Sequence, residues 1–184
     1  MTVYRPHDEG NGWETLTDDE IDYACRTAMK MRELSIGRGH KDHRAEGTKE
    51  YDESVALRIQ ALGALGELVA RKFLGYPMKL VTENFSKADL PDNIEVRLIG
   101  NNSYGLRIYP RTDDSRRVVG VVIEPGRERS PPWRIPGWIV AEDGKQERWS
   151  MSPCGRPPMY AVPQEHLRPV SELKNLVQSR DRRK

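Results

Sequence analysis

The chain has 184 residues, of which 32% are charged and 36% apolar, and its formal net charge is +2. This permits one core of ordinary size but lacks the clear basic excess of strong non-specific duplex binders. Two isolated cysteines argue against a disulfide framework or a zinc site. Without a long apolar run or an N-terminal h-region, the sequence predicts a soluble, cytoplasmic protein with no membrane partner.

The first part of the chain predicts two helices. Residues 1–14 are polar and predict a flexible arm before a single domain at 15–178. Thr17 and Glu20 form a capping-box pattern that begins a helix, and a charged loop follows at 37–50. A second helix is predicted at 53–74, with Gly75 and Pro77 ending it. Its apolar face comprises Val55, Ile59, Leu62, Leu65, Val69 and Phe73.

The second part predicts a run of strands and a closing helix. The strands are predicted at 79–82, 93–99, 105–109, 117–123, 133–141 and 159–162. Pro110 and Asp113–Asp114 mark a turn that makes a hairpin of 105–109 and 117–123. A final helix is predicted at 171–177, before a basic disordered tail at 179–184. The order of the elements, with helices first, then strands and then a helix, predicts an α/β or α+β domain with a mixed sheet.

Three carboxylates are spaced so that they could converge. Glu95 and Arg97 are two apart on a predicted strand, so both point to one sheet face. Asp89 precedes Glu95 by six residues, at a plausible hairpin entry. Glu67 lies among Gly63, Gly66 and Ala70, and such small residues let a helix approach a sheet closely. Convergent carboxylate oxygens are ligands for Mg²⁺ or Mn²⁺.

These residues resemble the core of the PD-(D/E)xK nuclease superfamily, most closely its small phage and prophage members. The similarity rests on a GxxGE helix ending at Glu67, an Ala88–Asp89 turn and an ExR strand of Glu95 and Arg97. It covers roughly residues 59–125. The resemblance implies a restriction-endonuclease-like core, with a mixed central sheet flanked by helices. It implies a metal-dependent DNA endonuclease with catalytic residues Glu67, Asp89, Glu95 and Arg97, and leaves a homodimer open.

The position of Arg97 separates two functional hypotheses. In the family this position is usually lysine, and the resemblance makes Glu67, Asp89 and Glu95 the ligands of Mg²⁺ or Mn²⁺. Arginine is a poor general base but can stabilise charge on a phosphate. It could instead pair with Glu95 and lock a retired site. The alternative to an endonuclease is therefore a non-catalytic module that binds nucleic acid or protein. A viral structural protein that only mimics the motif is a third reading.

Several basic and aromatic residues are candidates for contacts with DNA. Arg38, Lys41 and Arg44 lie in the first loop with His40 and His43, which lack a third zinc ligand nearby. Lys87 precedes the Ala–Asp pair, and Arg107 and Arg111 belong to the predicted hairpin with Tyr109, Arg116 and Arg117. For each of these basic residues, the alternative interpretation is a solvated surface residue with no contact to DNA. Trp133, Trp138 and Trp149 could stack on bases or supply core bulk.

Overall fold

Two long helices, a run of strands and a closing helix follow one another along the described chain. The computed structural model describes residues 12–37, 53–80, 87–100, 105–123, 133–152 and 157–181. Within those ranges, no helix combines the length and apolar character needed to cross a membrane. The elements are β1 (Trp13–Glu14), α1 (Asp18–Gly37), α2 (Glu53–Leu74), β2 (Ile94–Ile99), β3 (Leu106–Ile108), β4 (Arg117–Val122), β5 (Trp133–Val140), α3 (Ala141–Gly144), β6 (Ser150–Met151), β7 (Met159–Val162) and α4 (Val170–Asp181).

The start of α1 is a reciprocal capping box. The Thr17 backbone N–H donates to Glu20 Oε2 at 2.7 Å, and the Glu20 N–H donates to Thr17 Oγ1 at 3.3 Å. These bonds satisfy two N–H groups that a helix terminus otherwise leaves without partners. The predicted helix start is confirmed, and α1 then packs along α2.

Helix α2 approaches the sheet most closely at Gly66. A Cβ at this position would lie 2.5 Å from Leu98 Cδ2 on β2, and Ala70, one turn later, is fully buried. Gly63 is different, because a Cβ there would meet nothing within 4 Å. The prediction that small residues bring α2 onto the sheet is therefore confirmed at Gly66 and Ala70 but not at Gly63.

The apolar stripe predicted along α2 is buried only in its C-terminal half. Leu65, Val69 and Phe73 are in the core, whereas Val55 and Ile59 are exposed. The prediction is wrong for those two residues. The C-terminal half carries Gly66 and so lies against the sheet, and from Ala64 to Leu74 most of its residues are buried.

Two sheets form the β part of the fold, which is α+β with a mixed sheet. The first has the order β1-β5-β4-β2, with β2 parallel to β4 and β4 antiparallel to β5. The second is antiparallel, in the order β3-β7-β6. Strand β4 is buried on both faces: Val119 and Val121 belong to the helix-side core, and Val118 and Val122 to the core shared with the second sheet.

The predicted hairpin of 105–109 and 117–123 is wrong. Strand β3 pairs with β7 in the second sheet, and β4 lies between β2 and β5 in the first. Because both edges of β4 are already paired, β3 has no edge of β4 to join. Residues 79–80 do not form the strand predicted at 79–82, and 81–82 lie outside the described residues.

Helix α4 and strand β1 extend beyond the predicted domain limits. Helix α4 reaches Asp181, so residues 179–181 of the predicted tail are helical. Strand β1 falls inside the predicted arm and pairs antiparallel with β5. The three tryptophans Trp133, Trp138 and Trp149 are buried, which confirms that they supply core bulk.

A tight reversal at residues 90–94 places Asp89 beside β2. Asp92 and Asn93 both have φ of +58°, a conformation that Asp and Asn tolerate better than most residues. The Leu90 N–H donates to the Ile94 carbonyl at 3.0 Å. Tyr76 Oη and Arg180 Nη1 donate to the two Asp92 carboxylate oxygens at 2.7 and 2.9 Å. The turn is thereby tied to the end of α2 and to α4.

Gly66→Val should destabilise the fold by about 1–3 kcal/mol, because its side chain would collide with Leu98 at the α2–β2 contact. Gly63→Ala is the matched control on the same helix. It should stabilise the protein by about 1 kcal/mol, since it improves helix propensity in open space. Urea denaturation of both variants measures the difference, and equal effects would contradict a close approach at Gly66.

Candidate functional site

The Glu95 carboxylate is buried and bound by two arginines. Glu95 and Arg97 share one face of β2, as predicted, and Arg97 Nη2 forms an ion pair with Glu95 Oε1. Arg116, immediately before β4, donates from Nη1 to Glu95 Oε2 at 2.7 Å. Glu95 is only 5% exposed. A buried carboxylate needs partners for both oxygens, and the two guanidinium groups supply them.

Asp89 lies along the free edge of β2. Its Oδ2 accepts a hydrogen bond from the Val96 backbone N–H at 2.8 Å. That N–H is available because, among the described strands, β2 is at the edge of its sheet and pairs with β4 alone. Burial raises the pKa of Asp89, whereas the Val96 hydrogen bond and the charges of Arg97, Arg116 and Arg71 lower it.

Glu67 reaches the same region from α2. Arg71 Nε donates to Glu67 Oε1 at 2.9 Å, one helical turn away. Burial raises the pKa of Glu67 to about 7; Arg71 opposes this rise and the nearby Asp89 charge adds to it. Arg71 also donates to the carbonyls of Asp89 at 2.7 Å and Pro77 at 3.3 Å. Arg71 thus joins the helix to the segment that carries Asp89.

The three carboxylates reach one region from two sides of β2. Ile94, Val96 and Leu98 face the helix-side core, so Glu95 and Arg97 point to the other face, where Ile99 joins the second core. Glu67 lies on the side of β2 that faces the helices, and Asp89 lies at the edge of β2, between its two faces. In the described chain, no three His, Cys, Asp or Glu side chains are placed to hold a metal ion. With both of its oxygens paired to arginines, Glu95 is not placed as a ligand of the Mg²⁺ or Mn²⁺ that the resemblance implies.

The rim of the site is basic and carries one aromatic ring. Arg97, with its side chain 34% exposed, lies 5.3 Å from the centroid of the Tyr109 ring. Burial lowers the pKa of Arg97, Asp89 and Tyr109 raise it, and the nearby charges of Arg111 and Arg116 lower it further. Arg116 Nε is buried and has no hydrogen-bond partner among the described groups. The partly exposed guanidinium group of Arg97 therefore presents N–H donors at the mouth.

The other predicted DNA contacts have different positions. Arg107 and Tyr109 lie on the β3 face opposite the buried Leu106 and Ile108. Lys87 is exposed, two residues before Asp89. Arg111 is exposed in the turn after β3, and Arg117 donates from Nη1 to the Asp92 carbonyl at 2.7 Å. The predicted contacts Arg38, Lys41 and Arg44 and the loop histidines His40 and His43 lie outside the described residues.

Sequence reasoning missed two contacts at the site. The spacing of Glu67 and Arg71 (i, i+4) on a predicted helix could have indicated their ion pair. The contact of Arg116 with Glu95 had no local signal, because it depends on the parallel pairing of β2 with β4. Sequence reasoning instead assigned Arg116 to the hairpin that does not form.

The free energy of unfolding should fall as pH rises from about 4.5 to about 7. In that window the folded protein keeps a proton on Glu67 that the unfolded chain has lost, so folding binds more protons. The loss is on the order of 3 kcal/mol at most, at about 1.4 kcal/mol per pKa unit. Burial of Asp89 acts in the same direction.

Denaturation of Glu67→Gln at pH 5 to 8 checks this, because the variant should show a flatter profile than the parent protein. Glu20→Gln is the control. Burial raises the pKa of Glu20, but Lys72 and Thr17 lower it by more. The stability that Glu20 contributes is therefore lost only as pH falls below 4.5. Above that pH, Glu20→Gln should keep the slope of stability against pH that the parent protein shows. An unchanged slope in Glu67→Gln would rule out Glu67 as its source.

No family model, no curated protein and no solved structure matches this chain. The contacts and charges at β2 are therefore the basis on which a function is proposed. Those contacts place four of the residues named by the nuclease resemblance, Glu67, Asp89, Glu95 and Arg97, in a single electrostatic cluster with Arg71 and Arg116.

Proposed function

We propose that this chain is a nucleic-acid-binding module in which Arg97 and Arg116 contact phosphate, with DNA as the expected partner. The observation that carries the proposal is the pair of guanidinium groups that share Glu95, because the Arg97 side chain is 34% exposed and that of Arg116 18% exposed. A phosphate oxygen is a strong acceptor for arginine. A phosphate bound at the mouth would meet the exposed parts of these two groups.

The charge balance of the cluster supports an anion as the ligand. Arg71, Arg97, Arg111 and Arg116 act on its carboxylates or on one another. Against these four positive charges stand three carboxylates, and Glu67, with a pKa of about 7, is ionised in only about half of the molecules at pH 7. The cluster is net positive at neutral pH, which attracts phosphate and opposes the entry of a divalent cation.

The surroundings of Arg97 support a nucleic acid as the source of the phosphate. The Tyr109 ring lies against the Arg97 guanidinium, and the half-buried Arg107 lies on the same side as Tyr109, opposite the buried Leu106 and Ile108. Arginine and tyrosine contact backbone phosphates, and an aromatic ring can also stack on an unpaired base. The same rim would suit single-stranded as well as duplex DNA.

Arg97→Ala should weaken oligonucleotide binding about tenfold, equivalent to about 1.4 kcal/mol. The loss of one phosphate contact should also reduce the slope of log Kd against log salt by about 0.9 for a duplex or 0.7 for a single strand. Fluorescence anisotropy with DNA and RNA, duplex and single-stranded, gives both values. Arg26→Ala removes the same charge from an exposed position on α1, which packs on α2. Equal losses in both variants would refute a specific phosphate contact at Arg97.

The second candidate function is the metal-dependent DNA endonuclease. It is favoured by the proximity of Glu67 and Asp89, two half-buried carboxylates that act on each other electrostatically. Paired carboxylate oxygens are the ligands that Mg²⁺ and Mn²⁺ prefer. This candidate includes the restriction-endonuclease-like core, with which the mixed sheet and its flanking helices are compatible, and it leaves a homodimer open.

Glu95→Gln distinguishes the two candidates. The substitution removes the charge that holds Arg97 and Arg116, so a binding module should bind DNA more tightly as its guanidinium groups are released. An endonuclease should instead lose cleavage. Plasmid and oligonucleotide cleavage with Mg²⁺, Mn²⁺ or EDTA, together with calorimetric titration of Mn²⁺, provides the readout. Metal-dependent cutting by the parent protein that Glu95→Gln abolishes would establish the endonuclease and overturn the binding-only proposal.

A further inference from the structure

The turn between β3 and β4 carries the side chains that form the rim of the site. Tyr109, Arg111 and Arg116 all belong to residues 109–116, and Thr112 within this turn is buried. Two backbone bonds lie within the turn: the Thr112 N–H donates to the Tyr109 carbonyl at 2.9 Å, and the Arg116 N–H to the Asp113 carbonyl at 3.0 Å. The direction in which Arg111 and Tyr109 point therefore depends on what fixes the turn from outside.

Lys145 supplies that external support. It follows α3, and its Nζ donates to the carbonyls of Pro110 at 3.0 Å and Thr112 at 2.5 Å and to Asp114 Oδ1 at 2.6 Å. The side chain is only 16% exposed. An ammonium group has three N–H donors, and each can be assigned to one of these oxygens. The charge of Lys145 is thus directed into the turn and away from solvent.

The two halves of the turn are held differently. Near its end, the backbone of α3 contributes, because the Ala141 N–H donates to the Arg116 carbonyl at 2.8 Å and the Glu142 N–H to the Asp114 carbonyl at 3.1 Å. The half from Pro110 to Thr112 is held by Lys145, which follows α3 and binds the carbonyls of Pro110 and Thr112. Loss of Lys145 would free the segment that carries Arg111 while leaving Arg116 attached to α3.

We propose that Lys145 is a positioning residue for the phosphate site, holding the 109–116 turn so that Arg111 and Tyr109 face Arg97. This proposal rests on the proposed function, because it assumes that the rim binds phosphate. Lys145 itself does not contact the phosphate. It acts through the turn, and its loss should weaken binding without a comparable loss of stability.

The experiment compares Lys145→Met with Asp114→Asn by oligonucleotide anisotropy, with a thermal melt of each variant. If Lys145 acted only through its charge, Lys145→Met would weaken binding and Asp114→Asn, which removes a negative charge beside the rim, would strengthen it. A positioning role predicts that both weaken binding, about fivefold for Lys145→Met and less for Asp114→Asn. Asp114 is largely exposed, so its variant keeps the test usable if Lys145→Met folds poorly.

Lys72→Met is the matched control for the loss of a lysine that is held by several oxygens. Lys72 Nζ donates to both Glu20 carboxylate oxygens at 3.1 and 2.8 Å, and this pair joins α2 to α1. Its replacement should lower the melting temperature and leave the affinity unchanged. In a double-mutant cycle, Lys145→Met should weaken binding less in the Arg111→Ala background than in the parent protein, because part of its effect acts through Arg111.

The outcomes separate this proposal from the function on which it rests. If the parent protein binds none of the oligonucleotides, the proposed function fails. If it binds and Arg97→Ala weakens binding, but Lys145→Met does not or Asp114→Asn tightens it, the function stands and the positioning role is overturned. Additive losses in the double variant would likewise overturn it.

Discussion

Three parts of the chain meet at the guanidinium group of Arg71, and the placement of the candidate site depends on these contacts. Arg71 binds Glu67 one turn away on α2, the Pro77 carbonyl just beyond the helix, and the Asp89 carbonyl before β2. The side chain is buried, and a buried cation is tolerated only when it is well paired. Three acceptors on separate segments provide that pairing. The electrostatic requirement of one side chain therefore fixes where the segment bearing Asp89 lies.

The edge position of β2 explains how the charges are arranged. An edge strand presents unpaired N–H groups that proteins usually cover or disrupt. Here the Asp89 carboxylate covers the Val96 N–H, so one acidic group both protects the edge and connects the two faces of the strand. The buried pair Glu67–Arg71 lies on the helix side, and the Glu95 cluster lies on the other. This separation favours a basic rim over a single metal-binding pocket.

Local signals predicted much of this structure. The capping box at Thr17, the close approach at Gly66 and the shared face of Glu95 and Arg97 follow from chemistry within a few residues, and all three are present. Features that depend on distant partners were not predictable. Alternation shows that Glu95 and Arg97 point together, but not which face of β2 meets α2. Likewise, a turn between two apolar runs resembles a hairpin, and only the competition of β5 and β2 for the edges of β4 excludes it.

The register of β2 against β4 determines whether Glu95 can reach Arg116. Glu95 lies opposite Val118, and a Cβ at Gly120, two positions further along β4, would come within 2.8 Å of Ile99 Cδ1. Side chains alternate between faces along a strand, so slippage by a single residue would turn Glu95 toward the helices and away from Arg116. The contact between Glu95 and Arg116, which are 21 residues apart, therefore depends on the uncharged residues that fix the strand register. Variation among the valines of β4 could inactivate the site while every charged residue is retained.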